Sequence, residues 1–267
     1  MPEPTATLNV VRSAAHIAFA DFRTVYSPLT WCVGWLGRVI MQVLFFAVIG
    51  LLLKEPGAIL YLFIGQAVFL TASETLFAIQ STQWERASGT LGLLTVAPAR
   101  LWPVFVGRSL QWMPSGVGTA SIVLFGIGPL LGVEWSLPAA VAAVVGLACV
   151  ACGTYGMALF VASFVLRVPH WRNVVANLVQ SAHTLLCGVV VPVAFWPEGV
   201  QLVAQVFPMI HGLAAIRAVQ GTQAVSVGTI GQLGLCLAIG LGWLVLAVLM
   251  FERFAQHGRR TGSIDFD

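Results

Sequence analysis

The sequence predicts an all-α membrane protein with six transmembrane helices, and three observations carry that expectation. Apolar residues make up 58% of the 267 and charged residues only 9%, against roughly 45–50% and about 25% in ordinary soluble domains. The apolar residues gather in long runs near 33–53, 58–80, 110–133, 139–166, 173–195 and 227–250, each long enough for a hydrocarbon core of roughly 30 Å. With those spans, Arg12, Arg23, Arg38, Arg86, Arg100, Arg108, Arg167, Arg172, Arg253, Arg259 and Arg260 fall on one side, leaving Lys54 and Arg217 on the other. Cations mark the cytoplasmic face, so both termini are expected there, in a multi-pass protein of the cell membrane.

The elements follow in chain order. The first residues carry polar and charged groups before any long apolar run, unlike a signal peptide. Within 8–26, Leu8, Val11, Ala15, Phe19, Phe22 and Val25 recur three or four apart while Arg12, His16 and Arg23 take another face. That is the pattern of an amphipathic helix lying on the membrane. The first span opens with Trp31 and Trp35 at headgroup level and Arg38 about one turn inside, and Lys54 to Gly57 turn the chain. After the second span comes the longest loop on the cytoplasmic side, and Leu91, Leu94 and Pro98 predict a short helix within it. Periodicity alone favours an interfacial linker, and the apolar ridge with its charged end also suits a protein partner. Pro114 and Pro129 lie inside the third span, tolerable where neighbours satisfy the freed backbone. Glu134 and Pro138 mark the next turn, and Arg167, Pro169, His170 and Arg172 the loop after the fourth span. The apolar stretch 197–221 contains Pro208, His211 and Arg217. A seventh span there would throw Arg253, Arg259 and Arg260 outside, so it reads as a partly re-entrant helical segment on the outer face. The whole of 1–267 is expected to form one transmembrane domain, with little left for a separate soluble one.

Several function classes are excluded. The single lysine, Lys54, sits between Leu53 and Glu55, so no phosphate-cradling loop is present. Twelve scattered arginines make no basic stripe for nucleic acid. Cys149 and Cys152 form a CxxC without a second ligand pair and read as small residues on a helix face. His183 is the lone histidine within a span, and no serine-nucleophile motif accompanies it. Catalytic residues and a metal site are therefore not expected.

The loop after the second span holds Glu85, Arg86, Gly89, Thr90, Leu91, Leu94 and Pro98. Together they resemble the E-R-x-x-G-T-L-x-x-L-x-x-x-P signature of type-2 ABC transporter permeases. The order of parts is similar too, including the family's outer Pro-to-Arg-to-Gly segment, here Pro208, Arg217 and Gly221. The resemblance implies a permease subunit whose signature loop forms a coupling helix docked in a groove of a separate ABC ATPase subunit. ATP and Mg would belong to that partner, with no cofactor in this chain. It also implies a second permease copy, in a homodimer, surrounded by membrane lipid. The loop around Arg167, His170 and Arg172 departs from the family in its weak charge. Relatives export antibiotics, other amphipathic natural products or lipids, and lipid-linked polysaccharides. Drug or natural-product export is the favoured reading and polysaccharide export the alternative. An ion-driven carrier would show several intramembrane acids in two related halves, and only Glu74 lies well inside a span.

A path for cargo needs polar groups turned toward the bundle interior. In span two, Gln66, Ser73 and Gln80 recur at seven with Phe69 and Phe77 beside them, and Glu74 lies on a neighbouring face. In span five, Asn173, Asn177, Gln180 and Thr184 advance along one side. The same stripes also suit helix-to-helix hydrogen bonds. Two readings stand for Glu74, a substrate contact or a structural pair with a residue such as Arg38. Two stand for Arg217, recognition of an anionic headgroup or anchoring of the outer segment.

Overall fold

In the computed structural model, residues 4–25, 27–55, 57–81, 85, 89–96 and 100–261 are described, and they form helices and turns with no strand among them. Helix α1 is Pro4–Val25, α2 Gly37–Leu53, α3 Ala58–Thr75 and α4 Ala78–Ser81. A π-helical stretch, Trp31–Leu36, runs directly into α2. Then come α5 Thr90–Val96, α6 Trp102–Ser109, α7 Trp112–Ile122, α8 Leu137–Val165 and α9 Arg172–Leu186. The chain closes with α10 Glu198–Ala204, α11 Pro208–Thr222 and α12 Val227–Thr261.

Five stretches are long and apolar enough to cross a membrane: Trp31–Leu53, Ala58–Ser81, Trp102–Leu131, Leu137–Val165 and Val227–His257. The bent pair α10–α11, which turns by 91°, raises the number to six if it counts as one span. Five of the expected spans are thus present, the third starting at Trp102 rather than at 110. Leu110 and Gln111 form only a turn between α6 and α7, so the apolar helix reaches a full two turns further toward the arginine-rich end.

The expected span 173–195 needs correction. Helix α9 is 15 residues long, about 22 Å at 1.5 Å per residue, and ends where Gly188 turns left-handed with φ +78°. An apolar run does not by itself continue a helix through such a residue. Beyond it lie irregular backbone, a 3-10 turn Val193–Phe195, and α10. The helix's last carbonyls find other donors: the Trp196 indole N–H donates to Leu185 O at 3.2 Å. The segment 197–221, expected as a partly re-entrant helical piece, is the bent α10–α11 pair.

Helix α3 is the axle of the bundle, with 89% of its apolar window buried, and α2, α7, α8 and α11 pack around it. One apolar cluster gathers Phe63, Ile64, Val68, Leu147, Met209 and Leu213 about this axle. A second, nearer the Trp31 end, packs Leu91, Leu101, Phe105, Leu159 and Phe251, with Phe105 and Phe251 stacked at 4.9 Å. Lipid tails are as apolar as these side chains, so close packing and hydrogen bonds must hold the helices together. Helix α1 lies along α6, burying Ala14 and Ala18. Their approach is possible only because residue 107 is glycine: a Cβ there would sit 2.5 Å from Val11 O and 2.5 Å from Ala14 Cβ. Leu8, Ile17 and Phe19 of α1 stay exposed. Helix α8 starts on an N-cap, Ser136, whose side chain accepts from Ala139 N at 3.4 Å, with Pro138 in the first turn where its missing N–H costs nothing.

Candidate functional site

The signature segment is held by a chain of charges. Glu85 is 8% exposed, and its carboxylate accepts from Arg108 Nε at 2.6 Å and from the Thr90 hydroxyl at 2.5 Å. The Thr90 hydroxyl also lies 3.0 Å from Glu85 O. Arg108 Nη1 donates to Asp21 Oδ2 at 2.6 Å. One guanidinium therefore ties α1, through Asp21, to the signature, through Glu85, from its seat at the end of α6. Gly89, exposed with φ +69°, makes the turn into α5. Leu91 is buried and Leu94 half-buried against the second cluster, so α5 is anchored by its apolar ridge. Arg86 and Pro98 lie outside the described residues.

This arrangement explains why Thr follows Gly in the signature. A hydroxyl at the first helical turn reaches back to a carboxylate five residues earlier and closes the turn that Gly89 opens. Asp21 and Arg108 belong to the site, yet no motif spacing links residues 21, 85 and 108. A buried signature carboxylate needs a cation, and the nearby arginines were the available signal. Arg108 reads from sequence only as a topology marker.

The polar residues of α3 are enclosed within one chain. Glu74 is 1% exposed and accepts from Trp35 Nε1 at 3.0 Å and Ser115 Oγ at 2.5 Å, joining the π-helical stretch, α3 and α7. Arg38 makes no ion pair with it among the described residues and instead stacks over Trp35 at 4.6 Å. Gln66 is fully buried and accepts from Gln42 at 3.4 Å. Ser73 donates to Leu70 O at 3.0 Å. Phe69 is 4% exposed, and Ser73, Phe77 and Gln80 are half-buried. Phe77 stands between Trp35 and Trp112, with ring centroids 5.4 and 5.1 Å away.

The α9 stripe behaves differently. Asn173 and Asn177 are exposed and Gln180 and Thr184 half-buried, while Ala176 and His183 on the other side are buried. Thr184 donates to Gln180 O at 3.1 Å, along the helix. The stripe therefore faces away from this chain's own bundle.

In the outer segment, Pro208 is buried at the start of α11, and Gly221 is exposed near its end. Arg217 donates to Gly188 O at 2.8 Å and to Tyr61 O at 2.9 Å, and lies 3.6 Å from the Tyr61 ring centroid. Tyr61 Oη donates to the same Gly188 O at 2.7 Å. These contacts satisfy the backbone that α9 leaves irregular, as buried backbone requires. Every one of them is anchoring in character.

A family model described as ABC-2 type transporter matches residues 29–220. No characterised protein and no solved structure matches the chain.

Proposed function

The chain belongs to the ABC-2 type transporter family, and from that premise we propose that it is the membrane permease subunit of an ATP-driven exporter at the cytoplasmic membrane. The family makes it a transporter component on a multi-pass helical scaffold, itself not catalytic, that works with an ABC ATPase. The finer reading is that the segment Glu85–Leu94 is the coupling helix for a separate ATPase subunit and that two copies of this chain form the path. ATP and Mg act on the partner subunit.

One observation supports this most directly: the signature carboxylate Glu85 is bonded through Arg108 to Asp21, so the signature segment, α6 and α1 form one joint. A push on α5 from outside then reaches α1 and the start of the third span together. Helix α1, with Leu8, Ile17 and Phe19 exposed, is suited to rest on the lipid surface as it moves. The polar stripe of exposed Asn173 and Asn177 and half-buried Gln180 and Thr184 is suited to face a second copy across an aqueous path. The cargo class that fits best is an amphipathic small molecule such as an antibiotic or other natural product, taken from the inner leaflet and moved outward.

Purification of the tagged chain from its own host in mild detergent tests the reading. An ATP-hydrolysing subunit is expected near one-to-one, and lost from the Glu85→Ala variant while the chain stays folded. A chain that purifies without any ATPase under nucleotide-trapping conditions would overturn it.

A further inference from the structure

Helix α1 buries Ala14 and Ala18 against α6 and leaves a cationic face outside. At about 100° per residue, Leu8, Phe19, Arg12, Arg23 and His16 follow one another around the helix within about 80°, and all five are exposed. Arg12 and Arg23 stand about 16 Å apart along the axis. Neither they nor His16 pairs with a carboxylate among the described residues. The helix carries one carboxylate, Asp21, which lies on the opposite side and is committed to Arg108.

The rings at the end of α1 set the height of this face. Helix α1 ends at Val25, and the first membrane-crossing stretch opens at Trp31. Phe22 meets Trp112 at 5.9 Å, Trp112 meets Phe77 at 5.1 Å, and Phe77 meets Trp35 at 5.4 Å. That chain of rings brings the end of α1 to the opening turns of the stretch, where tryptophans mark the headgroup level. Exposed Leu8 and Phe19 beside exposed arginines are the pattern of a helix whose apolar edge enters the acyl chains while its cations stay among the headgroups.

We propose that this face of α1 binds anionic phospholipid, with Arg12 and Arg23 holding headgroup phosphates and the upper acyl chains covering Leu8 and Phe19. Charge selects the headgroup. A zwitterionic lipid brings its own cation to the phosphate and competes with the arginines, whereas phosphatidylglycerol leaves the phosphate free for them. The leaflet then grips α1 from outside while Arg108 grips Asp21 from inside, so lipid composition bears on the joint that holds the signature. In that last respect the inference rests on the permease reading above. The binding itself does not, so the test uses binding alone.

The full chain is placed in phosphatidylcholine nanodiscs that hold a trace of photoactivatable phosphatidylglycerol or, in parallel, photoactivatable phosphatidylcholine, each with a diazirine at the top of one acyl chain. At about 1 kcal/mol for each arginine near an anionic lipid surface, two arginines are worth about 30-fold. Label within 8–25 is therefore expected about 30-fold higher from the phosphatidylglycerol probe. Arg12→Gln with Arg23→Gln should reduce the preference to about threefold or less, and Arg12→Lys with Arg23→Lys should keep it. Unchanged labelling of 227–257 by the phosphatidylcholine probe shows that the variants are folded. Equal labelling of the wild-type chain by the two probes, or a preference that survives the double glutamine variant, would overturn the proposal. Loss of the preference under excess sn-glycerol 3-phosphate would overturn it too, because the face would then be a site for a soluble anion. Should the variants not purify, the wild-type chain decides in about 1 M salt, where charges are screened beyond about 3 Å: a preference that falls several-fold supports the proposal, and one that persists refutes it. Whether an ATPase copurifies has no bearing on any of these outcomes.

Discussion

Replacing Arg108 by glutamine should free the signature segment far more than removing Asp21, although Arg108 contacts both carboxylates at the same distance of 2.6 Å. The difference lies in solvent. The Asp21 side chain is 46% exposed and that of Glu85 only 11%. An exposed ion pair is worth about 0–1 kcal/mol, whereas a charged group stranded without its partner in a buried setting costs about 3–5 kcal/mol. Glu85 keeps one donor, the Thr90 hydroxyl, which places Arg108→Gln near the lower end, about 3 kcal/mol. At 1.4 kcal/mol per factor of ten, local opening of α5 should become roughly 100-fold more frequent. Asp21→Asn should change it by less than about fivefold. Hydrogen exchange of the 90–96 amides in nanodiscs reads this directly, since such exchange follows local opening. Equal effects of the two substitutions, or unchanged protection in Arg108→Gln, would refute the claim that a half-buried charge chain holds the segment.

Three further outcomes are expected. Gly107→Val drives a side chain into Val11 O and Ala14; with overpacking worth about 1–3 kcal/mol, the melting temperature in detergent should fall by several degrees, and Gly107→Ala should show a smaller drop. Arg217→Ala removes both donors from Gly188 O and Tyr61 O, so the monodisperse yield should collapse, while Arg217→Lys, keeping one donor, should recover part of it; normal yield with altered substrate preference would point to recognition instead. Glu74→Gln retains an acceptor for Trp35 or Ser115 and should cost about 1–2 kcal/mol, less than Glu74→Ala. If transport by Glu74→Gln matches wild type, Glu74 serves the bundle and not the cargo.

How much of this was legible beforehand depended on whether the controlling contact was local. Although α12 runs on to Thr261, past the apolar run expected to end at 250, the end of α2 and the start of α8 follow from apolar runs closed by Lys54, left-handed with φ 54°, and Ser136, an N-cap. The end of α9 does not, because Cys187 to Phe195 stay apolar while the break is stabilised by Tyr61 and Arg217, far along the chain in both directions. The start of the third span was hidden for a related reason: Trp102, Pro103 and Arg108 look interfacial in sequence, yet Pro103 and Phe105 are buried against neighbours. At the site, the signature residues announced themselves by spacing, and their partners Asp21 and Arg108 did not. Periodicity placed the stripes of α3 and α9 on single faces, but only packing separates them, one enclosed by neighbouring helices and the other left open.

The staple at Gly188 also sets a schedule for synthesis. Its carbonyl takes donors from Tyr61, made long before it, and from Arg217, made 29 residues after it. At roughly 5–20 residues per second, the ribosome needs a few seconds to supply the second donor. During that interval the Gly188 carbonyl has one of its two side-chain donors, that of Tyr61. The far end of α9 therefore gains its full support only once the last third of the chain is in place.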